Sequence, residues 1–357
     1  MRLKGITGTF LGLALILDSL APTNAQEAKP AQRANALAGP LGNKAISEAV
    51  NRLAGQLKQH PVRPSKAKEG RVLHMLDVES GEATLIADEP DEGLVYCGSP
   101  EWSQDGTRIL YDTTPAPGNV FNLTRLKSIE RGEEELEVND LGPGNCPGLT
   151  REGDRIVFLL NPGAVAGATA GIWIMQANGE RRRPLCEYGR PKLSPDGNHL
   201  MIVSFSDPTE LAIIDIKTER LRRLTLPERH IFTTPGWAGN DTLVAAIGDT
   251  AADSIALLDI SDPEQAKIKE VLWKKSAALN VIPAYPIYSP QTGRYIFIGR
   301  SRPDDPAGSL YSFQAGQRER PRRYKPTGFG VALSDPNFSP DGRYILFSCE
   351  KIPPPQK

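Results

Sequence analysis

The sequence predicts an all-β protein, a six-bladed β-propeller whose last blade combines strands from both ends of the chain. Three observations predict it. One hairpin motif recurs six times, the copies follow each other at intervals of 44 to 51 residues, and a second, less apolar strand pair follows five of them. One hairpin and one outer pair in each such period fit the four-stranded blade of a propeller.

The motif is clearest in its last copy, "DPNFSPDGRYILF", which begins at Asp335. Every copy carries a proline, and these are Pro100, Pro147, Pro191, Pro235, Pro286 and Pro336. Two residues after each proline stands a bulky apolar side chain, which we expect to fill the space between adjacent blades. The strand after the turn is apolar at nearly every position, a pattern typical of strands buried on both faces.

Three copies turn through an Asp-Gly pair, whose carboxylate accepts backbone N–H groups while the glycine adopts a positive φ. We assign structural turn roles to Asp105, Gly106, Asp196, Gly197, Asp341 and Gly342. Because turn formation explains the repeated acids, we do not assign them a catalytic role.

The two ends of the propeller, residues 71–350, complement each other. The hairpin at 335–349 has no outer pair after it, and the strand pair at 71–86 has no hairpin before it. We therefore expect these segments to share the sixth blade and to close the ring.

The segments outside the propeller have simpler patterns. Residues 1–25 combine Arg2 and Lys4, a short apolar run and small residues before Ala25, as a cleaved signal peptide does. A signal anchor is the alternative, but a spanning helix needs about 20 apolar residues. Residues 26–42 predict a disordered tether, 43–60 an amphipathic helix that docks on the propeller or binds a partner, and 351–357 a short tail.

The bulk composition excludes some functions. The 357 residues are 39% hydrophobic and 24% charged, with a formal net charge of −1. Without a basic surplus, DNA and RNA are not expected partners. After signal removal no segment is apolar enough to span a bilayer, so we expect a periplasmic or secreted monomer.

The repeat Pro-x-(Trp/Phe)-Ser-Pro-Asp-Gly with outer strands such as "LAIIDIKTERLRRLT" resembles the WD-like β-propeller repeat of the TolB family of the periplasmic Tol-Pal system. The resemblance covers about residues 71 to 350. Members carry a sizeable α/β domain before the propeller, where this chain has only about 45 residues after the predicted signal. The resemblance implies a scaffold that binds an envelope protein or lipoprotein through one face.

The binding face is expected at the channel mouth, where the innermost strands begin. The residues just before the repeat prolines, with two nearby tyrosines, form the predicted binding set: Tyr96, Ser99, Tyr188, Arg190, Thr234, Tyr285 and Asp335. Tyr and Arg are the residue types most often found at binding hot spots. Structural loop residues are the alternative interpretation.

The sequence favours a non-enzymatic protein. It contains no G-x-S-x-G and no H-E-x-x-H motif, and its four histidines are scattered. We therefore expect no catalytic residues, no metal site and no cofactor. The alternative is a propeller enzyme, a lyase or hydrolase that acts on a saccharide at the channel mouth.

Four cysteines in an exported chain are candidates for two disulfides. The propeller arrangement favours Cys97 with Cys349, which would staple the first and sixth blades, and Cys146 with Cys186 in neighbouring blades. The rival connectivity joins Cys97 with Cys146 and Cys186 with Cys349, and its second bond would have to reach between blades that are not adjacent. Four free thiols remain a further alternative, because bridged Cα atoms must lie within about 7 Å.

Overall fold

The computed structural model describes residues 40–62, 70–87, 94–116, 121–187, 189–203, 210–225, 230–301, 308–314, 321–324 and 334–350. The predicted signal peptide, residues 26–39 of the predicted tether, the tail and Tyr188 lie outside the described residues. Within them, an α-helix, α1 (Pro40–Gln59), precedes strands that are numbered here in chain order. The all-β prediction is confirmed.

Eight strands form the largest sheet: β1 (Gly70–Asp77), β2 (Ala83–Ala87), β3 (Leu94–Trp102), β4 (Arg108–Ala116), β5 (Arg125–Arg131), β6 (Leu136–Pro143), β24 (Ser334–Phe338) and β25 (Tyr344–Glu350). Their order is β24-β25-β1-β3-β4-β5-β6, with β2 also paired to β1. A short 3₁₀ turn, Phe121–Leu123, lies between β4 and β5.

Four further sheets are the separate blades of a propeller-like arrangement. The second contains β7 (Asn145–Leu149), β8 (Arg155–Leu160), β9 (Gly171–Gln176) and β10 (Arg183–Cys186). The third contains β11 (Arg190–Leu193), β12 (His199–Val203), β13 (Glu210–Asp215) and β14 (Leu221–Thr225). The fourth contains β15 (His230–Ile231), β16 (Gly236–Gly239), β17 (Thr242–Gly248), β18 (Ala252–Asp259) and β19 (Lys267–Lys274). The fifth contains β20 (Ile282–Ser289), β21 (Arg294–Arg300), β22 (Gly308–Gln314) and β23 (Arg322–Tyr324).

All six predicted hairpins are antiparallel strand pairs: β3–β4, β7–β8, β11–β12, β16–β17, β20–β21 and β24–β25. The fourth copy differs from the others because its first strand is split. Both β15 and β16 pair with β17, and Thr234 lies in the gap between them.

The turns show the hydrogen bonds expected of Asp-Gly hairpins. The carboxylate of Asp341 accepts the Ser339 hydroxyl at 2.6 Å and the Arg343 N–H at 3.1 Å. Asp105 and Asp196 accept the corresponding bonds in their copies. Gly342 has a φ of +75°, a region that L-residues with a Cβ rarely adopt.

The first and last strands pair directly. β1 and β25 run antiparallel from Arg71 opposite Glu350 to Asp77 opposite Tyr344. At its start β1 also makes a short parallel pair with β3, at Gly70 and Arg71. The strand near the N-terminus therefore joins the last hairpin to the first one, as the complementary ends of the sequence predict.

The core lies between neighbouring sheets. The bulky residues two positions after the repeat prolines each enter a different apolar cluster, in most cases with residues of the preceding sheet. Trp237, for example, packs with Met201 and Ile213 of the third sheet, and Leu149 packs with Leu110 and Leu126 of the largest sheet. Burial of these side chains holds adjacent sheets together.

Helix α1 covers the junction between the first and last hairpins. Its apolar stripe, Val50, Leu53, Ala54 and Leu57, is buried in one cluster with Trp102. A Cβ on Gly106 would lie 2.5 Å from the Val50 Cγ2, so the helix rests directly on the first turn. The Ser47 hydroxyl donates to Asp341 in the last turn at 3.2 Å.

Replacing Leu53 by Ala should lower the free energy of unfolding by about 2–5 kcal/mol, because it leaves a cavity under α1. The neighbouring exposed Arg52, changed to Ala, is the matched control and should change it by less than about 0.5 kcal/mol. Urea unfolding of both variants measures the difference. Equal, small effects would mean that the helix does not stabilise the propeller.

Ending the chain at residue 333 should abolish the cooperative unfolding transition. The truncation removes β24 and β25 and exposes a bare edge on β1. A chain ending at residue 350 keeps both strands and should melt like the full-length protein. A cooperative transition at the full-length temperature in the shorter chain would contradict closure by this strand pair.

Candidate functional site

The residues before the six repeat prolines meet at one end of a central channel. Ser99, Cys146, Arg190, Thr234, Tyr285 and Asp335 line a single cavity of about 60 Å³, together with five of the six repeat prolines. We call this ring of six residues the narrow mouth. The structure thus brings together residues that lie up to 236 positions apart, from Ser99 to Asp335.

Backbone strain marks four of the six positions. Ser99, Cys146, Tyr285 and Asp335 have φ values between 45° and 51°, although none is glycine and each precedes a proline. A register shift interrupts the strand pairing at each position, as β-bulges do. Bulges re-aim side chains and occur often beside functional sites. Strain of this kind costs roughly 1–3 kcal/mol for each residue and persists only where the surroundings impose it.

Arg190 reaches across the narrow mouth. Its Nη1 lies 3.5 Å from the Asp335 carboxylate of the last hairpin and 3.5 Å from the Thr234 hydroxyl. The pair with Asp335 raises the pKa of the guanidinium above its ordinary value, so Arg190 stays charged. Its Nε is buried and has no hydrogen-bond partner among the residues that the structure describes. The mouth therefore holds a fixed cation with donor capacity left over.

Asp112 of β4 lies beneath the ring, only 3% exposed. Its carboxylate accepts the backbone N–H of Cys146 at 2.9 Å and a hydrogen bond from the Ser99 side chain, and so holds two of the strained positions. Burial raises the pKa of Asp112 from 3.8 to about 6. A carboxyl group with such a pKa exchanges protons near neutral pH, as general acids and bases do.

Tyr96 lies beside this group and contacts Arg71. Its hydroxyl accepts a hydrogen bond from Arg71 Nη1 at 3.1 Å, and the guanidinium carbon is 5.1 Å from the ring centroid. Burial raises the pKa of Tyr96, so its hydroxyl stays protonated at neutral pH. On the other side Arg300 stands over the Tyr285 ring at 5.7 Å.

The sequence did not point to Asp112, Arg71 or Arg300. They occupy second or outer strands, outside the pre-proline position that defines the ring, and the motif carries no signal for them. The two tyrosines that they contact or adjoin, Tyr96 and Tyr285, were among the predicted residues.

A second cavity opens at the other end of the same channel, near the hairpin turns. It has a volume of about 730 Å³ and shares Glu101, Lys192 and Ile287 with the cavity at the narrow mouth. We call it the wide mouth. Its walls come from all six hairpins, and the start of α1 contributes Asn43 and Ile46 to its rim.

The predicted disulfides are absent, since none of the four cysteines, all within the described residues, is bonded to another. Cys349 of β25 lies opposite Val72 of β1. Strand β1 in turn lies between β25 and β3, the strand that carries Cys97. Cys146 and Cys186 belong to the innermost and outermost strands of the second sheet, three spacings of about 4.8 Å apart. Both separations exceed the bridging limit of about 7 Å.

Within the described residues no helix is both long and apolar enough to cross a membrane. In the same residues no three or more His, Cys, Asp or Glu side chains are grouped as metal ligands are.

No family model matches this chain, and no curated protein matches it. Solved structures do match. A prolyl endopeptidase aligns with 92% of this chain and 55% of its own, at 14% identity and a TM-score of 0.49. An oligogalacturonate lyase in complex with manganese aligns with 69% of this chain and 72% of its own, at 15% identity and a TM-score of 0.44. The β-propeller domain of the Trilobed protease from Pyrococcus furiosus aligns with 68% of this chain and 88% of its own, at 13% identity and a TM-score of 0.40.

The comparisons show a propeller and leave the TolB resemblance unconfirmed. The prediction that the chain is not an enzyme is contradicted, since the solved structures that align with it include a lyase, a prolyl endopeptidase and a puromycin hydrolase. The chain spans about half the length of the prolyl endopeptidase. At these identities the likeness concerns the fold, and no reaction is carried over from it.

Replacing Asp112 by Asn should flatten the pH dependence of stability between pH 4 and 7. The folded pKa of about 6 lies above the ordinary value of 3.8, so the stabilising contribution of the protonated group is complete below pH 4 and is lost as the pH rises through 6. The shift corresponds to at most about 3 kcal/mol. Urea unfolding of both proteins across this range gives the difference, and identical profiles would show that Asp112 does not titrate there.

Proposed function

We propose that this chain is an exported six-bladed propeller that binds a saccharide at its narrow mouth and acts on it as a hydrolase or lyase. The observation that carries the proposal is the buried Asp112, whose raised pKa allows it to exchange protons near neutral pH and which lies beside the Arg190–Asp335 pair. The eight-stranded sheet counts as two blades in this proposal, joined by the parallel contact of β1 with β3.

The chemistry of the mouth suits a polyhydroxylated ligand. Ser99, Thr234 and Tyr285 offer hydroxyl groups, and Arg190 offers its Nε–H, which has no partner among the described residues. The cavity of about 60 Å³ admits one substituent of a sugar, whose ring would lie across the mouth. Sugars present both donors and acceptors, and this set of side chains complements both.

Asp112 would act as the proton-transfer group in either reaction. In hydrolysis a protonated carboxyl donates to the leaving glycosidic oxygen while water attacks the sugar. In elimination an ionised carboxylate removes a ring proton, the electrons of that C–H bond form a C=C bond, and the adjacent C–O bond breaks while water supplies a proton to the departing oxygen. Arg190 would hold the ligand, and Asp335 would keep Arg190 oriented.

A protein partner at the same mouth is the second candidate. Phe232, 38% exposed, follows β15 and lies two residues before Thr234, and Tyr285 and Arg190 are residue types enriched at protein interfaces. An envelope protein or lipoprotein in the periplasm would be such a partner, in keeping with the predicted signal peptide and the TolB-like repeat.

The test combines a panel of neutral and acidic oligosaccharides with two assays, release of reducing ends for hydrolysis and absorbance of a new C=C bond for elimination. Asp112→Asn should lower turnover by roughly 10²- to 10⁴-fold with binding retained, whereas Arg190→Ala should weaken binding. Arg52→Ala on the helix surface is the control. A folded wild-type protein that neither binds nor converts any member of the panel would refute the proposal.

A further inference from the structure

One side of the wide mouth is aromatic and the other side is charged. Three aromatic side chains, Trp237, Tyr288 and Phe338, line it from the fourth and fifth sheets and the last hairpin. The indole N–H of Trp237 donates to the Lys192 carbonyl at 3.0 Å, and the Tyr288 ring packs on Tyr295 at 4.6 Å. These contacts fix the two rings, so they form a preformed aromatic wall.

The other side of the wide mouth is charged and mainly acidic. The first two hairpins contribute Glu101, Asp105, Glu152 and Asp154, against which stand only Arg151 and Lys192. Four carboxylates and two cations leave a surplus of two negative charges. The narrow mouth, with Arg190 at its centre, has no such acidic surplus.

The charged side is anchored by Glu101, which stands inside the channel. Its side chain is 16% exposed and its carboxylate is 3.6 Å from Lys192 Nζ. The only other partner seen among the described residues is the Asn337 amide at 3.5 Å, at the limit of a hydrogen bond. Burial raises the pKa of Glu101, with Lys192 opposing that shift. Lys192 and Asn337 therefore compensate only in part for the water that the Glu101 carboxylate loses on burial.

A second polar group in the wall is the hydroxyl of Ser289. It is 1% exposed and makes no hydrogen bond within the part of the chain that the structure describes. The matching serines of three other copies, Ser103, Ser194 and Ser339, donate to their turn aspartates at 2.5–2.6 Å. The fifth copy has Gln291 in place of that aspartate, which leaves Ser289 free to bind a ligand in the cavity.

We propose that the wide mouth binds an amphipathic organic cation, a small molecule that joins a protonated amine to an apolar ring. The amine would lie near Glu101 and the ring against Trp237 and Tyr288. Ionic hydrogen bonds and cation–π contacts are the interactions that this pairing of carboxylates with aromatic rings provides. The site lies at the opposite end of the channel from the saccharide site and does not depend on the function proposed there.

Isothermal titration calorimetry with 2-phenylethylamine tests the proposal, with 2-phenylethanol and 3-phenylpropionate as neutral and anionic probes of similar shape. We expect the amine to bind at least about tenfold more tightly than the alcohol, a difference of about 1.4 kcal/mol, and the acid not to bind. Equal binding of amine and alcohol, or no binding of the amine at millimolar concentration, would overturn the proposal.

Two variants separate a specific site from general attraction by charge. Glu101→Gln keeps the shape of the side chain and should weaken amine binding by about tenfold or more. Lys192→Gln removes the competing cation and should tighten it. Arg52→Ala, remote on α1, should bind like the wild type, and urea unfolding confirms that each variant is folded. Unchanged affinity in both channel variants would also refute the site.

Discussion

The antiparallel pairing of β1 with β25 is the interaction on which the rest of the structure depends. β1 contacts β25, β2 and β3, so a single strand ties the two ends of the chain to the first hairpin. Without it the last hairpin would have no outer pair and its neighbouring sheet would end in an open edge. Helix α1 reinforces this junction by packing on the first turn and bonding to the last.

Closure also allows the strained channel. Four left-handed residues before prolines and the buried charges of Asp112 and Glu101 all destabilise the folded state. The compensating burial lies elsewhere, in the apolar clusters between sheets, where side chains such as Phe158, Phe297 and Phe347 are completely buried. Natural proteins keep such local costs mainly at sites that perform a function, which is why the channel carries both proposed sites.

Much of the fold could be predicted because its signal is local and repeated. Each hairpin has its own proline, turn and apolar strand, and six copies agree where one would be ambiguous. The convergence of the pre-proline residues follows from the ring. Asp112 and Arg71 could not be found this way, since they reach the mouth only through the register of β4 and β1 with their neighbours. The disulfide prediction was wrong for the same reason. That two cysteines lie on the same face of the propeller does not determine how many strands lie between them, which is one strand in one predicted pair and two in the other. The non-enzyme prediction depended on the absence of motifs that belong to other folds.

The repeat also explains how one short motif builds two different sites. In every copy the residue before the proline borders the narrow mouth, as Arg190 does, and in five of the six copies the residue after it lines the channel, as Lys192 does. The next residue packs between sheets and, in Trp237, also borders the wide mouth. The first two positions vary widely, from Ser to Arg before the proline and from Gly to Glu after it, although Cys146 and Ile287 among them also enter apolar clusters. A propeller of this kind can therefore vary the residues at either mouth while its hairpins, turns and closure stay the same.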